Sequence, residues 1–313
     1  MKAFVLKAPG PAEMLQLVTL PTPDIKTDEV LVEVKAIAFN PIDVKTRMGI
    51  GLYPRLAAEQ PLILGWDISG IVVDTGAQVT DFKKGDEVFG MINFPGHGKA
   101  YAEYVACKAR HLAKKPPLIS HPEAAASCLA ALTAWQALTS IAKIKKNDRL
   151  LVHAAAGGVG HFAIQIARQL GAYVIGTCST ANIDFVRSLG AQQVIDYQSV
   201  AFEKELHDLD IVLDAIGGSY IERSLPTLRK GGTYICLPSN NSQGVVEKSK
   251  DAGVLGYTML VHSSGTDMQI LATWLDKKFI TPHISRIFSF EEIPMAHRHL
   301  ETGRTVGKIV ALI

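Results

Sequence analysis

The chain has 313 residues, 48% of them apolar, and its 32 lysines and arginines nearly balance 30 aspartates and glutamates for a net charge of +2. That length suggests two domains with ample buried cores, and the even balance with scattered basic residues argues against a nucleic-acid partner or an anionic membrane surface. No apolar run approaches the roughly 20 residues of a membrane-spanning helix, and Pro9-Gly10-Pro11 with Glu13 breaks up any secretion signal, so the expected compartment is the cytoplasm.

In chain order, residues 1 to about 120 read as strands and turns. Val30-Leu31-Val32-Glu33-Val34-Lys35-Ala36 alternates as a half-buried strand does. Gly70–Asp74 and Asp86–Gly90 are further strands, with Gly76, Gly85 and Gly96 at turns. From about 121 to 260 helices and strands alternate. Leu150-Leu151-Val152, Tyr173–Thr177, Asp210–Asp214 and Thr233–Leu237 are the strands, the rhythm of a doubly wound parallel sheet. A helix around Met268–Lys278 follows, and extended structure resumes at Pro282-His283-Ile284. The cysteines, Cys107, Cys128, Cys178 and Cys236, are too dispersed for a disulfide scaffold or a zinc ribbon.

The strongest chemical signal is His153-Ala154-Ala155-Ala156-Gly157-Gly158-Val159-Gly160, set between a strand and a helix pattern. Strand, glycine turn and helix place a dinucleotide pyrophosphate on a helix N-terminus. Gly157 lets the backbone approach the phosphates, and Gly160 lets the helix pack closely. Ala155 stands where the first glycine is usual. Val159, Ala163, Ile166, Ala167 and Leu170 share one helical face. The end of the next strand selects the cofactor. A carboxylate about 20 residues past the glycines binds the ribose 2′-hydroxyl of NAD, but Thr177-Cys178-Ser179-Thr180-Ala181-Asn182 offers hydroxyls and an amide, and Asp184 is the first acid. With Arg187 nearby, this favours NADPH, although Ser179 and Asn182 also suit a helix cap.

Along its whole length the chain resembles the medium-chain dehydrogenases/reductases, in particular the zinc-independent quinone oxidoreductases. The matching pieces are Asn40-Pro41-Ile42-Asp43, Gly65-Trp66-Asp67-Ile68-Ser69-Gly70, Gly85–Val88, Ala131–Ala134, the Ala154–Gly160 turn, Gly190-Ala191 with Asp196-Tyr197, and Gly303-Arg304 with Gly307-Lys308. The resemblance implies a GroES-like β-rich catalytic domain (residues 1–120, completed by 262–313) and a doubly wound Rossmann domain that binds NADPH (121–261), with a cofactor and substrate cleft between them. It also implies a homodimer joined at the Rossmann sheet edge.

Zinc-dependent relatives place a cysteine where this chain has Asn40, and Gly-His-Glu where it has Gly65-Trp66-Asp67. Tryptophan cannot ligate zinc and asparagine replaces a thiolate poorly; the four-cysteine lobe is also missing between residues 90 and 115. No metal is therefore expected. Without one, the substrate must accept hydride readily, as a quinone or an α,β-unsaturated carbonyl does, with hydrogen bonds to the developing enolate. A zinc-free alcohol dehydrogenase or carbonyl reductase, or a non-enzymatic NADPH-binding sensor, are the alternatives.

The expected roles follow from the motif and the resemblance. Gly157, Gly158 and Val159 contact the pyrophosphate. Ser179, Asn182 and Tyr197 surround the 2′-phosphate, joined by Arg304. Ile216, Gly217, Leu237 and Ser239 follow Rossmann strands, where cofactor ligands gather. Asn40 and Thr133 border the nicotinamide, Thr133 being equally suited to a buried helix hydroxyl. Tyr53, in Gly51-Leu52-Tyr53-Pro54, either hydrogen-bonds a substrate carbonyl or packs its ring. Asp43 and Asp67 are expected to order the pocket, and no general acid is identifiable.

Overall fold

The alternating run at Val30 folds as a ten-residue strand whose Val30, Val32, Val34 and Ala36 are buried while Leu31, Glu33 and Lys35 are half-buried. The computed structural model describes residues 1–238 and 241–313. Its strands in chain order are β1 (Lys2–Leu6), β2 (Leu15–Thr19), β3 (Glu29–Ala38), β4 (Asp67–Thr75), β5 (Glu87–Met91), β6 (Tyr104–Lys108), β7 (Ala113–Lys114), β8 (Arg149–Val152), β9 (Tyr173–Cys178), β10 (Gln193–Asp196), β11 (Leu209–Asp214), β12 (Leu228–Cys236), β13 (Leu255–Thr258), β14 (Ile284–Ser289) and β15 (Lys308–Leu312).

These strands fall in two compact units, Met1–Leu132 with His262–Ile313, and Thr133–Val261. In the first, β14-β15-β3-β4-β5-β7 form one sheet, with β6 also paired to β3. Antiparallel pairing of Val310 with Ala38 inserts the C-terminal strand beside β3, so the end of the chain completes a sheet begun near its start. The helix His121–Ala126 lies beyond the boundary drawn from sequence at residue 120. Its Ala125 and Ala126 pack with Ala36, Ala38 and Val310, which attaches it to the first unit.

The second unit carries six parallel strands in the order β10-β9-β8-β11-β12-β13. The winding direction reverses between β8 and β11. Ligands of such sheets bind outside the carboxyl ends of the strands at that reversal. Leu151, Ile175, Val212 and Tyr234 lie in the core of this unit.

The helix Gly160–Gln169 starts where the glycine turn ends. Its burial is wider than one face, because every residue from Gly160 to Ala167 is covered, His161 and Gln165 included. Gln165 Nε2 meets its need by donating to His161 O at 2.9 Å. Close packing explains two glycines. A Cβ on Gly160 would lie 2.4 Å from Ala154 O, and one on Gly176 would lie 2.8 Å from Val186 Cγ1. Neither position accepts a side chain without backbone movement. No helix among the described residues is long and apolar enough to cross a membrane.

Candidate active site

Asn40 follows β3 and caps the helix Pro41–Arg47, whose first turn Pro41 presets. The Asp43 carboxylate accepts the Asn40 backbone N–H at 2.7 Å. The Asn40 carboxamide points elsewhere. Its Nδ2 donates to Asp67 Oδ2 at 2.8 Å, and its Oδ1 accepts from Lys308 Nζ at 2.5 Å. Asp67 opens β4, and its second oxygen accepts the Leu129 N–H at 2.9 Å. Lys308 opens β15, donates also to Phe39 O at 2.7 Å, and lies 3.8 Å from Asp67 Oδ2. All four side chains are buried.

Two carboxyl groups thus share a dry pocket with one ammonium. Burial pushes Asp43 from 3.8 up to about 7, and Asp67 up to about 6 against the pull of Lys308. Burial also lowers the Lys308 ammonium, opposed by the same carboxylates. Tyr101 hydrogen-bonds His297 Nε2 at 2.9 Å and interacts with Asp43; burial raises its phenol well above the usual range. His297 is pushed down to about 3 by burial. Trp66 does none of this. It is fully buried, donates Nε1–H to Gly96 O at 2.7 Å and meets Phe94 edge-on, so it anchors the loop beyond β5.

Tyr53 starts the short helix Tyr53–Leu56 and is half-buried. Thr133 is buried in the helix Leu129–Trp135. A cavity of about 640 Å³ in the first unit is lined by Arg55, Phe94 and His97 but by neither Asn40 nor Tyr53.

In the second unit, Gly157, Gly158 and Val159 form the turn between β8 and its helix, and the initial N–H groups of any helix lack partners within it. Ser179 and Asn182 follow β9, with Asn182 Nδ2 donating to Ser179 Oγ at 3.2 Å. Tyr197 follows β10 and is exposed. Between them stands a carboxylate. Asp196 ends β10 opposite Cys178 and accepts from Thr180 Oγ1 at 2.5 Å and Gln198 N at 2.9 Å. The Thr180 hydroxyl holds its pKa below the usual carboxylate value.

At the reversal, the buried Asp214 accepts from the Ile216 and Gly217 N–H groups at 2.7 and 3.0 Å and from the Tyr234 hydroxyl. It shapes the loop after β11. Gly217 sits at φ +70°, where a Cβ would lie 2.5 Å from Asn241 O. Leu237 follows β12 and donates its N–H to Asp214 O at 2.9 Å. Ser239 lies outside the described residues. Arg304 is exposed and belongs to the other unit, unlike the three residues expected beside it.

Residues 26–117 match the alcohol dehydrogenase GroES-like domain, and residues 189–311 match the zinc-binding dehydrogenase family. Over 99% of its length the chain is 34% identical to the 2-methylene-furan-3-one reductase of Solanum lycopersicum, covering 78% of that protein. It is a medium-chain dehydrogenase/reductase, of the zinc-independent quinone oxidoreductase branch. Among solved structures, the quinone oxidoreductase from Coxiella burnetii is 36% identical with a TM-score of 0.95, covering 100% of this chain and 99% of that one. The Escherichia coli quinone oxidoreductase complexed with NADPH is 29% identical with a TM-score of 0.87, covering 100% of both chains.

As a medium-chain dehydrogenase/reductase the chain can be tested for both groups the wider family uses. A zinc ion does not fit. Asn40, Trp66 and Asp67 supply one carboxylate, and an ion bound there would face the Lys308 ammonium held by Asn40 and Phe39. A dinucleotide does fit. The Gly157, Gly158 and Val159 turn joins β8 to the N-terminus of its helix beside the sheet's reversal, where backbone amides would meet its phosphates. Three residues of this reductase fold escaped sequence reasoning as contributors. Lys308 stood in a matched motif without a role, Asp196 is brought to β9 only by strand pairing, and Asp214 acts on backbone amides that no pattern marks.

Proposed function

We propose that the protein is a zinc-independent, NADPH-dependent reductase of quinones or α,β-unsaturated carbonyl compounds. The observation that carries the reading is the Asn40–Asp67–Lys308 arrangement. An ammonium and an amide fill the position of a Lewis acid, which suits substrates that need none. The names of the tomato and bacterial relatives support the substrate classes, and the bacterial complex supports NADPH.

Bound NADPH supplies the hydride. The chain's own residues do the rest. Gly157, Gly158 and Val159 hold the pyrophosphate at the helix start, and Ser179, Asn182, Tyr197 and Arg304 receive the 2′-phosphate. Ile216, Gly217 and Leu237 follow Rossmann strands and contact the cofactor there. Asn40 and Thr133 border the reacting end, and Tyr53 donates a hydrogen bond to the acceptor oxygen as it becomes an enolate. Solvent protonates the enolate carbon.

The test is NADPH oxidation by chelator-treated protein against quinones, enones, aldehydes and saturated ketones, repeated with NADH. Turnover of quinones or enones that prefers NADPH and survives chelation is expected. Activity lost to chelation and restored by zinc would refute the reading.

The same reading takes the protein as a cytoplasmic homodimer. Four buried thiols suit a reducing compartment. β13 is an edge strand with Leu255 and Tyr257 exposed, which suits pairing with a second copy. Sedimentation should give twice the chain mass, and Leu255→Asp should give the monomer; a monomeric parent protein would refute the dimer.

A further inference from the structure

The family resemblance marks Lys308 only as part of a matched motif, yet it is a buried cation with three partners around its ammonium. Its side chain is 4% exposed. Two of its three N–H groups are spent on Phe39 O and Asn40 Oδ1, and the third side of the ammonium faces Asp67 at 3.8 Å. A buried ammonium is costly unless such partners surround it. What the arrangement fixes is the Asn40 carboxamide. An amide can flip end for end at little cost, exchanging its oxygen and nitrogen. Here it cannot, because a flip would set its NH₂ against an ammonium and its oxygen against a carboxylate. At the helix start the Asp43 carboxylate takes the Asn40 backbone N–H.

We propose that Lys308 is a positioning residue for hydride transfer, the internal cation that locks the Asn40 carboxamide in one orientation from the end of the chain. The inference rests on the placing of Asn40 beside the nicotinamide. Asp67 is the other half of the lock, and Leu129 N–H holds Asp67 in turn. β15 delivers the lysine and β3 delivers the asparagine, so the antiparallel pairing of these strands sets the distance between them.

The experiment is a double-mutant cycle with Lys308→Met and Asn40→Ala, read as kcat and KM for the best quinone or enone and as Kd for NADPH by fluorescence. Each single change should lower kcat by roughly ten- to a hundredfold, as misplacement of a positioned group does. NADPH Kd should stay within about twofold. The double variant should be no worse than the poorer single one, because Lys308 acts through Asn40. Losses that multiply would overturn the inference.

Lys308→Met also leaves the buried Asp67 without its counter-charge and is expected to lower the melting temperature. Lys308→Met with Asp67→Asn removes both charges and separates packing from positioning. Recovery of the melting temperature with kcat still depressed supports the inference, and kcat that recovers in step with the melting temperature overturns it. Turnover by the unsubstituted protein is measured first. Its absence would defeat the reductase reading itself, whereas active parent protein with an additive cycle would defeat only the role of Lys308.

Discussion

At the scale of single residues, the proposed 2′-phosphate site makes cofactor choice a matter of the charge around the ends of β9 and β10. Asn182 and Ser179 are neutral donors and acceptors, and Asp196 is a carboxylate whose oxygens are occupied by Thr180, Gln198 and Ser199. Hydrogen bonding draws its charge into its own turn, yet the charge remains and works against a second phosphate nearby. Asn182→Asp should therefore weaken NADPH binding roughly fivefold or more while changing NADH little. Asp196→Asn should strengthen NADPH relative to NADH. Fluorescence titration with both cofactors checks the pair, and equal changes for the two would remove these residues from the 2′-phosphate site.

At the scale of elements, legibility followed the range of the information. The strands at Val30, Leu150, Tyr173 and Asp210 were readable because period-two alternation and short apolar runs are local, and the structure places strands over each. The glycine turn was readable because backbone approach constrains residue type locally. The helix Gly160–Gln169 was drawn too narrowly, since one apolar stripe does not reveal that neighbours cover the opposite face as well. Gln136–Ile141 folds as a π-helix that no helical period announces. Asp196 stood in a matched motif without a role, and only parallel pairing with β9 shows that its carboxylate lies beside the turn after Cys178. Lys308 is the same case at longer range. The matched motif located the residue, but only β15 beside β3 shows what its ammonium touches.

At the scale of the whole molecule, burial of charge sets how stability responds to pH, and the two kinds of buried group act in opposite directions. Asp43 and Asp67 have folded values near 7 and 6, above the 3.8 of an unperturbed carboxyl. The folded state binds their protons more tightly, so their contribution is complete below pH 3.8 and is lost as pH rises through 6 to 7. His153 and His297 are pushed down to about 4 and 3, chiefly by burial. Their contribution is present above pH 6.5 and is lost as pH falls through 4 to 3. Between those limits the opposing slopes offset, and the melting temperature should vary little from about pH 4.5 to 6.5. Asp43→Asn isolates one slope. Asparagine keeps an oxygen for the Asn40 N–H and removes the charge that Tyr101, Asp67 and Lys308 surround. At pH 4 Asp43 already carries its proton, so variant and parent should melt together. At pH 8 the parent holds an ionised Asp43 in a dry pocket, and the variant should be more stable by on the order of 3 kcal/mol, seen as several degrees in a melting series. A variant that is destabilised equally at both pH values would mean that Asp43 contributes through its shape and hydrogen bonds alone, with no proton held in the cluster at neutral pH.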